Sequence, residues 1–205
     1  MSALPNSPLV PAGWQTIGPF FPRTFFNEGD NDLTRIAPTA PPTALGETII
    51  LHGHVLQEGG GPCVNAVLEA WQADALGHFR HPLDPGHAKA DPAFMGWGRA
   101  WTDAEGHFEF RTIIPGSFAD TSGPRAPHIN LGILGSGIMR RLCTTVFFPQ
   151  HAAANTADPV LAVLPAELRP LLLAQPDGER DGLRVFRFPV LLRGEPHEET
   201  PFFLD

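Results

Sequence analysis

Apolar and polar residues alternate with period two in a series of short runs, and Gly, Pro and Asp punctuate the gaps between them. Such alternation is the mark of a strand with one face buried and one exposed. The clearest run is Thr48–Leu56, which ends in the turn Glu58-Gly59-Gly60-Gly61-Pro62. Further runs predict strands over 65–73, 96–102, 107–114, 128–134, 141–148 and 182–193. Asp103-Ala104-Glu105-Gly106 has the composition of a hairpin turn between the runs 96–102 and 107–114. Only 159–173 reads as helical, and Pro165 and Pro170 interrupt it. Residues 1–47 are expected to form an N-terminal arm and extended surface loops.

Composition supports this reading. The chain has 23 Pro and 21 Gly in 205 residues, so turns and short strands are favoured over a helical bundle. The expectation is one all-β domain, an antiparallel β-sandwich with long loops and little helix, spanning residues 1–205. A formal charge of −8 argues against nucleic acid or an anionic membrane as partner. Cys63 and Cys143 lie far apart and make neither a metal motif nor a disulfide framework, which fits reduced cytosolic thiols. The sequence begins without a basic segment leading into an apolar run, so no signal peptide is expected. Trp71, Trp97 and Trp101 are expected in the core, and Glu69 and Arg99 as a buried pair.

The residues that could carry chemistry centre on Pro127-His128-Ile129-Asn130-Leu131. Alternation puts His128 and Asn130 on one strand face. His-x-His there would bind a metal through two imidazoles, whereas the amide of Asn130 offers only a weak neutral oxygen. Two other histidine groups, His52 with His54 and His78 with His81 and His87, are more simply exposed strand and loop residues than ligands. There is no tyrosine anywhere in the chain, against 15 Phe.

Three segments, 68–79, 98–116 and Ala126-Pro127-His128-Ile129-Asn130, resemble in order and spacing the intradiol ring-cleaving dioxygenases. The resemblance runs from Thr16-Ile17-Gly18-Pro19-Phe20 to Glu199-Thr200-Pro201-Phe202-Phe203. It implies a sandwich of antiparallel strands. It also implies a history of iron binding, because catalytic chains of the family hold Fe(III) through two tyrosinates and two histidines. Those four positions fall on Phe79, Phe118, His128 and Asn130, so three of the four ligands are replaced.

The family has two-chain members in which a beta chain carries the iron and an alpha chain keeps the fold without it. This sequence is similar to the alpha type. The resemblance then implies a beta partner with the iron, no metal and no catalytic residue in this chain, and a small catechol carboxylate at the interface. It also assigns Thr16, Gly18 and Pro19 to the wall of the substrate pocket. Alpha chains often place an arginine where this chain has Ser136, and Arg140 or Arg141 is a candidate replacement. The competing readings are a β-sandwich that only binds a ligand or protein, and a stand-alone metalloenzyme built on the clustered histidines.

Overall fold

The alternating runs become the two layers of a sandwich in the computed structural model, which describes residues 26–135, 138 and 140–203. In chain order the elements are β1 (Thr48–Leu56), β2 (Val67–Gln72), β3 (Trp97–Trp101), β4 (His107–Ile113), β5 (Phe118–Asp120), β6 (Gly123–Arg125), β7 (His128–Leu134) and β8 (Leu142–Phe147). The helices α1 (Ala152–Ala157) and α2 (Pro159–Val163) follow, then β9 (Gln175–Arg180), β10 (Leu183–Arg187) and β11 (Val190–Leu191). One sheet pairs β4 antiparallel to one edge of β1, with β10 and β11 along the other edge and β9 outside β10. The second sheet has the order β3-β2-β7-β8, antiparallel throughout. The expected antiparallel sandwich is therefore the architecture, with one parallel seam where β10 and β11 run alongside β1.

The inward positions of both sheets interdigitate. Ile49, Leu51 and Val55 of β1 and Phe108 and Phe110 of β4 meet Leu68 and Ala70 of β2, Ile129, Leu131 and Ile133 of β7, and Val146 of β8. Burying large side chains such as these stabilises the fold by roughly 1.5–3 kcal/mol each. The smaller cluster of Ala126, Phe147, Leu161 and Leu172 fixes the helical segment against the outer side of β8.

Several expectations change. Asp103–Gly106 is a tight turn, but its flanking strands belong to different sheets, so it crosses the sandwich instead of closing a hairpin. Segment 27–47 is not all surface: Leu33 and Thr34 are fully buried, and Leu33 donates its backbone N–H to Arg111 O at 2.9 Å. The helical region starts earlier and breaks sooner, as α1 and α2 plus a 3-10 turn at Arg169–Leu172. The last strand stops at Arg187 and resumes as β11. Trp97 is 37% exposed, and Trp71 and Trp101 are only half-buried. Glu69 and Arg99 do pair, at 2.7 Å, on the half-exposed outer face and not in the core.

Candidate functional site

The loop after β2 and the ribbon β5–β6 are brought together by close backbone contact. Asp74, buried at the end of β2, accepts backbone N–H bonds from Leu76 at 2.8 Å and His78 at 3.0 Å through one oxygen, and from Asp91 at 2.8 Å through the other. Gly77 turns with φ +82°, and a Cβ there would sit 2.2 Å from Ser117 O. Only glycine allows both the left-handed turn and this approach. Asp84 then ties down Phe79 and Gly86 through their N–H groups. Burial pulls the Asp84 carboxyl up, but those two N–H groups and the nearby His78 and His87 outweigh it and hold it below its ordinary value.

This scaffold places Phe79 against Phe118, the first residue of β5, with ring centroids 5.0 Å apart and planes at 85°. Phe118 lies 5.4 Å from His128, and His128 lies 5.6 Å from Phe147. On the other side Phe79 stacks on Trp71 at 5.8 Å and 11°. The four positions singled out from the sequence therefore converge: Phe79, Phe118 and His128 form one ring cluster, and Asn130 shares the strand face of His128. A cleft of about 900 Å³ opens over Phe79 and Phe118, and Leu76 and Leu83 stand exposed at its rim.

The donor set does not fit ferric iron. Phe79 and Phe118 present only carbon. Asn130 Oδ1 accepts the Thr145 hydroxyl at 2.9 Å. His128 is 3% exposed and its Nδ1 donates to Ala126 O at 2.7 Å. Burial among rings pushes the His128 imidazole down to about 4, against a smaller upward pull from the Ala126 carbonyl, while Arg125 lowers it and Asp158 and Asp120 raise it.

His128 should therefore make stability depend on pH. A neutral imidazole in the fold and an ordinary one in the unfolded chain mean that the unfolded state binds more protons between pH 6.5 and about 4. Stability contributed by His128 is present above pH 6.5 and is lost as pH falls through that window, by about 2.5 kcal/mol at pH 4.5. Urea unfolding of wild type and His128→Phe at pH 7 and pH 4.5 measures the difference. Equal pH slopes for the two proteins would refute it.

The other histidine groups separate. His107 lies 5.5 Å from His52 and 5.2 Å from His54, ring to ring, on the opposite sheet, and His52 pairs with Asp177 at 2.8 Å. Burial and the two neighbouring imidazoles lower the His107 value. No three His, Cys, Asp or Glu side chains among the described residues are placed to hold a metal ion. Thr16, Gly18, Pro19 and Ser136 lie outside the described residues. Arg125 and Asp158 were not anticipated from the sequence. The Arg125 guanidinium lies 5.9 Å over the Phe118 ring and bonds Asp158 at 3.0 Å and Asp120 at 3.1 Å.

Comparison with known proteins follows the same geometry. The family profile described as "Dioxygenase" matches residues 17–194. The chain belongs to the intradiol dioxygenase family. It is 37% identical over 197 residues to the protocatechuate 3,4-dioxygenase alpha chain of Burkholderia cepacia, covering 92% of this chain and 94% of that one. It is 38% identical over 171 residues to the beta chain of the same organism's enzyme, covering 82% of this chain and 67% of that one. The solved catechol 1,2-dioxygenase of Acinetobacter sp. ADP1 superposes with a TM-score of 0.60 at 21% identity, over 85% of this chain and 60% of that one, which shows the shared fold. The intradiol family is iron-dependent. Among the described residues no helix is long and apolar enough to cross a membrane.

Proposed function

We propose that this chain, as one domain over residues 1–205, is the non-iron-binding alpha subunit of a protocatechuate 3,4-dioxygenase. The alpha-beta complex converts protocatechuate and O2 to 3-carboxy-cis,cis-muconate in the cytoplasm, with Fe(III) held by the beta subunit. The observation that carries this reading is the match to an alpha chain along nearly its full length, in a chain whose Phe79, Phe118 and His128, positions the resemblance gives to iron ligands, pack as a ring cluster. The exposed Leu76 and Leu83 beside the remnant, the latter 85% exposed, are apolar surface that a partner would cover.

Thr16, Gly18 and Pro19 form part of the substrate pocket in this proposal. A Gly-Pro turn lets backbone lie close to a flat ring, and the Thr16 hydroxyl can meet a polar substituent. Expression with and without the homologous partner tests the assembly: ring cleavage and iron should appear only with the partner. In the size-selected complex, Gly18→Val is expected to raise KM roughly tenfold or more, with iron content intact. Failure of Gly18→Val to assemble, with an unchanged KM in whatever complex forms, would make the turn a packing element instead.

A further inference from the structure

On the outer face of the sheet that contains β1, three imidazoles gather where β4 leaves the crossing turn. His54 of β1 and His107 of β4 are direct cross-strand partners. One step along the ladder, Val55 donates its N–H to Gly106 O at 2.9 Å. His54 and His107 are therefore a non-hydrogen-bonded pair. Cα atoms in such pairs stand about 4.5 Å apart, against about 5.5 Å in the hydrogen-bonded kind, and their side chains come closest. The two ring centres lie 5.2 Å apart with planes at 62°. His52, on the same face of β1, has its ring 5.5 Å from that of His107.

Packing alone gives little reason for this arrangement, since histidines directly opposite each other repel once protonated. The surroundings suit a cation. Asp103 Oδ2 stands 3.9 Å from His107 Nδ1, and Asp103 is itself fixed through Oδ1 by the N–H groups of Glu105 and His107. A carboxylate behind one ring nitrogen orients the imidazole and leaves the other, Nε2, for an ion. Asp177 engages His52 through Nε2 at 2.8 Å. Glu109 is neutralised by Arg180 at 2.6 Å, and Arg187, beside His52 on β10, is turned to Gln175. The two aspartates are left in excess. Burial and the neighbouring His52 and His54 favour the neutral form of His107, the one with a lone pair to give.

We propose that His54 and His107 together hold a divalent transition-metal ion of the zinc type, as a clamp between β1 and β4, with water in its remaining positions. Two imidazoles on one tetrahedral ion, each nitrogen about 2.0–2.1 Å from the metal, put their ring centres about 5 Å apart. The observed spacing is already 5.2 Å. The site needs only these two side chains, in keeping with the absence of a converged set of three among the described residues. Imidazole suits Zn²⁺, Cu²⁺ and Ni²⁺, whereas Mg²⁺ and Fe(III) prefer oxygen donors. The site therefore differs in its metal from the iron chemistry of the family. It also differs in place, because His128 and its ring cluster belong to the opposite sheet. Its location gives the clamp an effect: it would pin β4 to β1 directly after the turn at which the chain crosses the sandwich.

Zinc chloride is the probe, titrated at neutral pH into the full-length chain after EDTA treatment and return to metal-free buffer. Calorimetry should show saturable binding that includes one equivalent at this pair. The melting temperature should rise with Zn²⁺, because an ion that binds only the folded chain stabilises it. Magnesium chloride should do neither. His54→Asn and His107→Asn should each weaken Zn²⁺ about tenfold or more, at least what losing an outer-shell partner costs, and should remove the rise in melting temperature. Each variant is compared with its own melting temperature in EDTA, and either one that folds suffices. His81→Asn, in the loop after β2, should leave both readouts at the wild-type value. No saturable Zn²⁺ binding, an unchanged affinity in His54→Asn or His107→Asn, or a loss caused by His81→Asn instead would each overturn the proposal. None of these outcomes bears on ring cleavage by the assembled complex, which tests the proposed function separately.

Discussion

Purified alone and incubated with excess ferric iron, the chain is expected to hold no stoichiometric metal, to remain colourless, and to show no cleavage of protocatechuate. The reason is the donor set. A site for Fe(III) needs hard anionic oxygens, and the two positions that the family resemblance matches to tyrosinates are phenyl rings here, packed edge to face at 5.0 Å. His128 donates its Nδ1 proton to a carbonyl and sits among rings, where a trivalent cation would be stripped of water without compensation. Asn130 is already engaged by Thr145. Single reversions, Phe79→Tyr or Phe118→Tyr, should stay iron-free, because one phenolate and one imidazole still leave half of the set missing. Iron analysis and the visible spectrum decide this. Stoichiometric ferric iron with a visible charge-transfer band in the wild-type chain would sink it, and would restore the stand-alone metalloenzyme as the better reading.

Much of the sandwich was legible because its strands have one face against the core. In β1, β4 and β7 every residue of the inward face is buried, and the alternation is broken only where Ile50, Ile113, His128 and Gly132 are covered on the other face. β9 escaped because every residue of it is exposed, so an edge strand of Gln, Pro, Asp, Gly, Glu and Arg has no apolar period to detect. The crossing at Asp103–Gly106 was read as a hairpin for a related reason. Asp103 Oδ1 accepts the N–H groups of Glu105 and His107, and Gly106 turns at φ +75°, a local chemistry that is the same whether the chain pairs back or crosses to the other sheet. What decides the crossing is the distant pairing of β4 with β1.

Trp97 and Trp101 were placeable from their neighbours. Gly98 and Ala100 alternate with Trp97, Arg99 and Trp101, and it is the small pair that turns inward, under Leu33. Large aromatics were assigned to the core by type, against the period of their own strand. The candidate site was legible only through the resemblance. Residues 79, 118, 128 and 130 share no local pattern, and it takes the Gly77 turn and the β5–β6 ribbon to bring the first two to the His128 face. Trp71 and Phe147, which complete the ring cluster, carried no separate signal.

Asp158→Ala is expected to destabilise the fold by about 3–5 kcal/mol, the range for breaking a buried ion pair from one side. Asp158 is fully buried and both of its carboxylate oxygens accept hydrogen bonds. One oxygen accepts Arg125 Nε at 3.0 Å and the Ala126 N–H at 2.9 Å; the other accepts the Val160 N–H at 2.8 Å and so caps α2. Asp followed by Pro at the first helical position is a start signal that the sequence displays. The pairing with an arginine 33 residues upstream is not visible there. Truncation would leave the Arg125 guanidinium, 12% exposed, with only its Asp120 ion pair, and would strand two backbone donors. The damage would extend to the ring cluster, because Arg125 covers Phe118 and the Ala126 carbonyl holds His128. Asp158→Asn keeps the shape and some of the acceptors while losing the charge, so its loss should be smaller than that of the alanine variant. Urea unfolding with an unchanged m-value gives the number for each. A cost below about 1 kcal/mol for Asp158→Ala, no more than an exposed ion pair contributes, would show that water or a shifted Arg125 replaces what the carboxylate supplies.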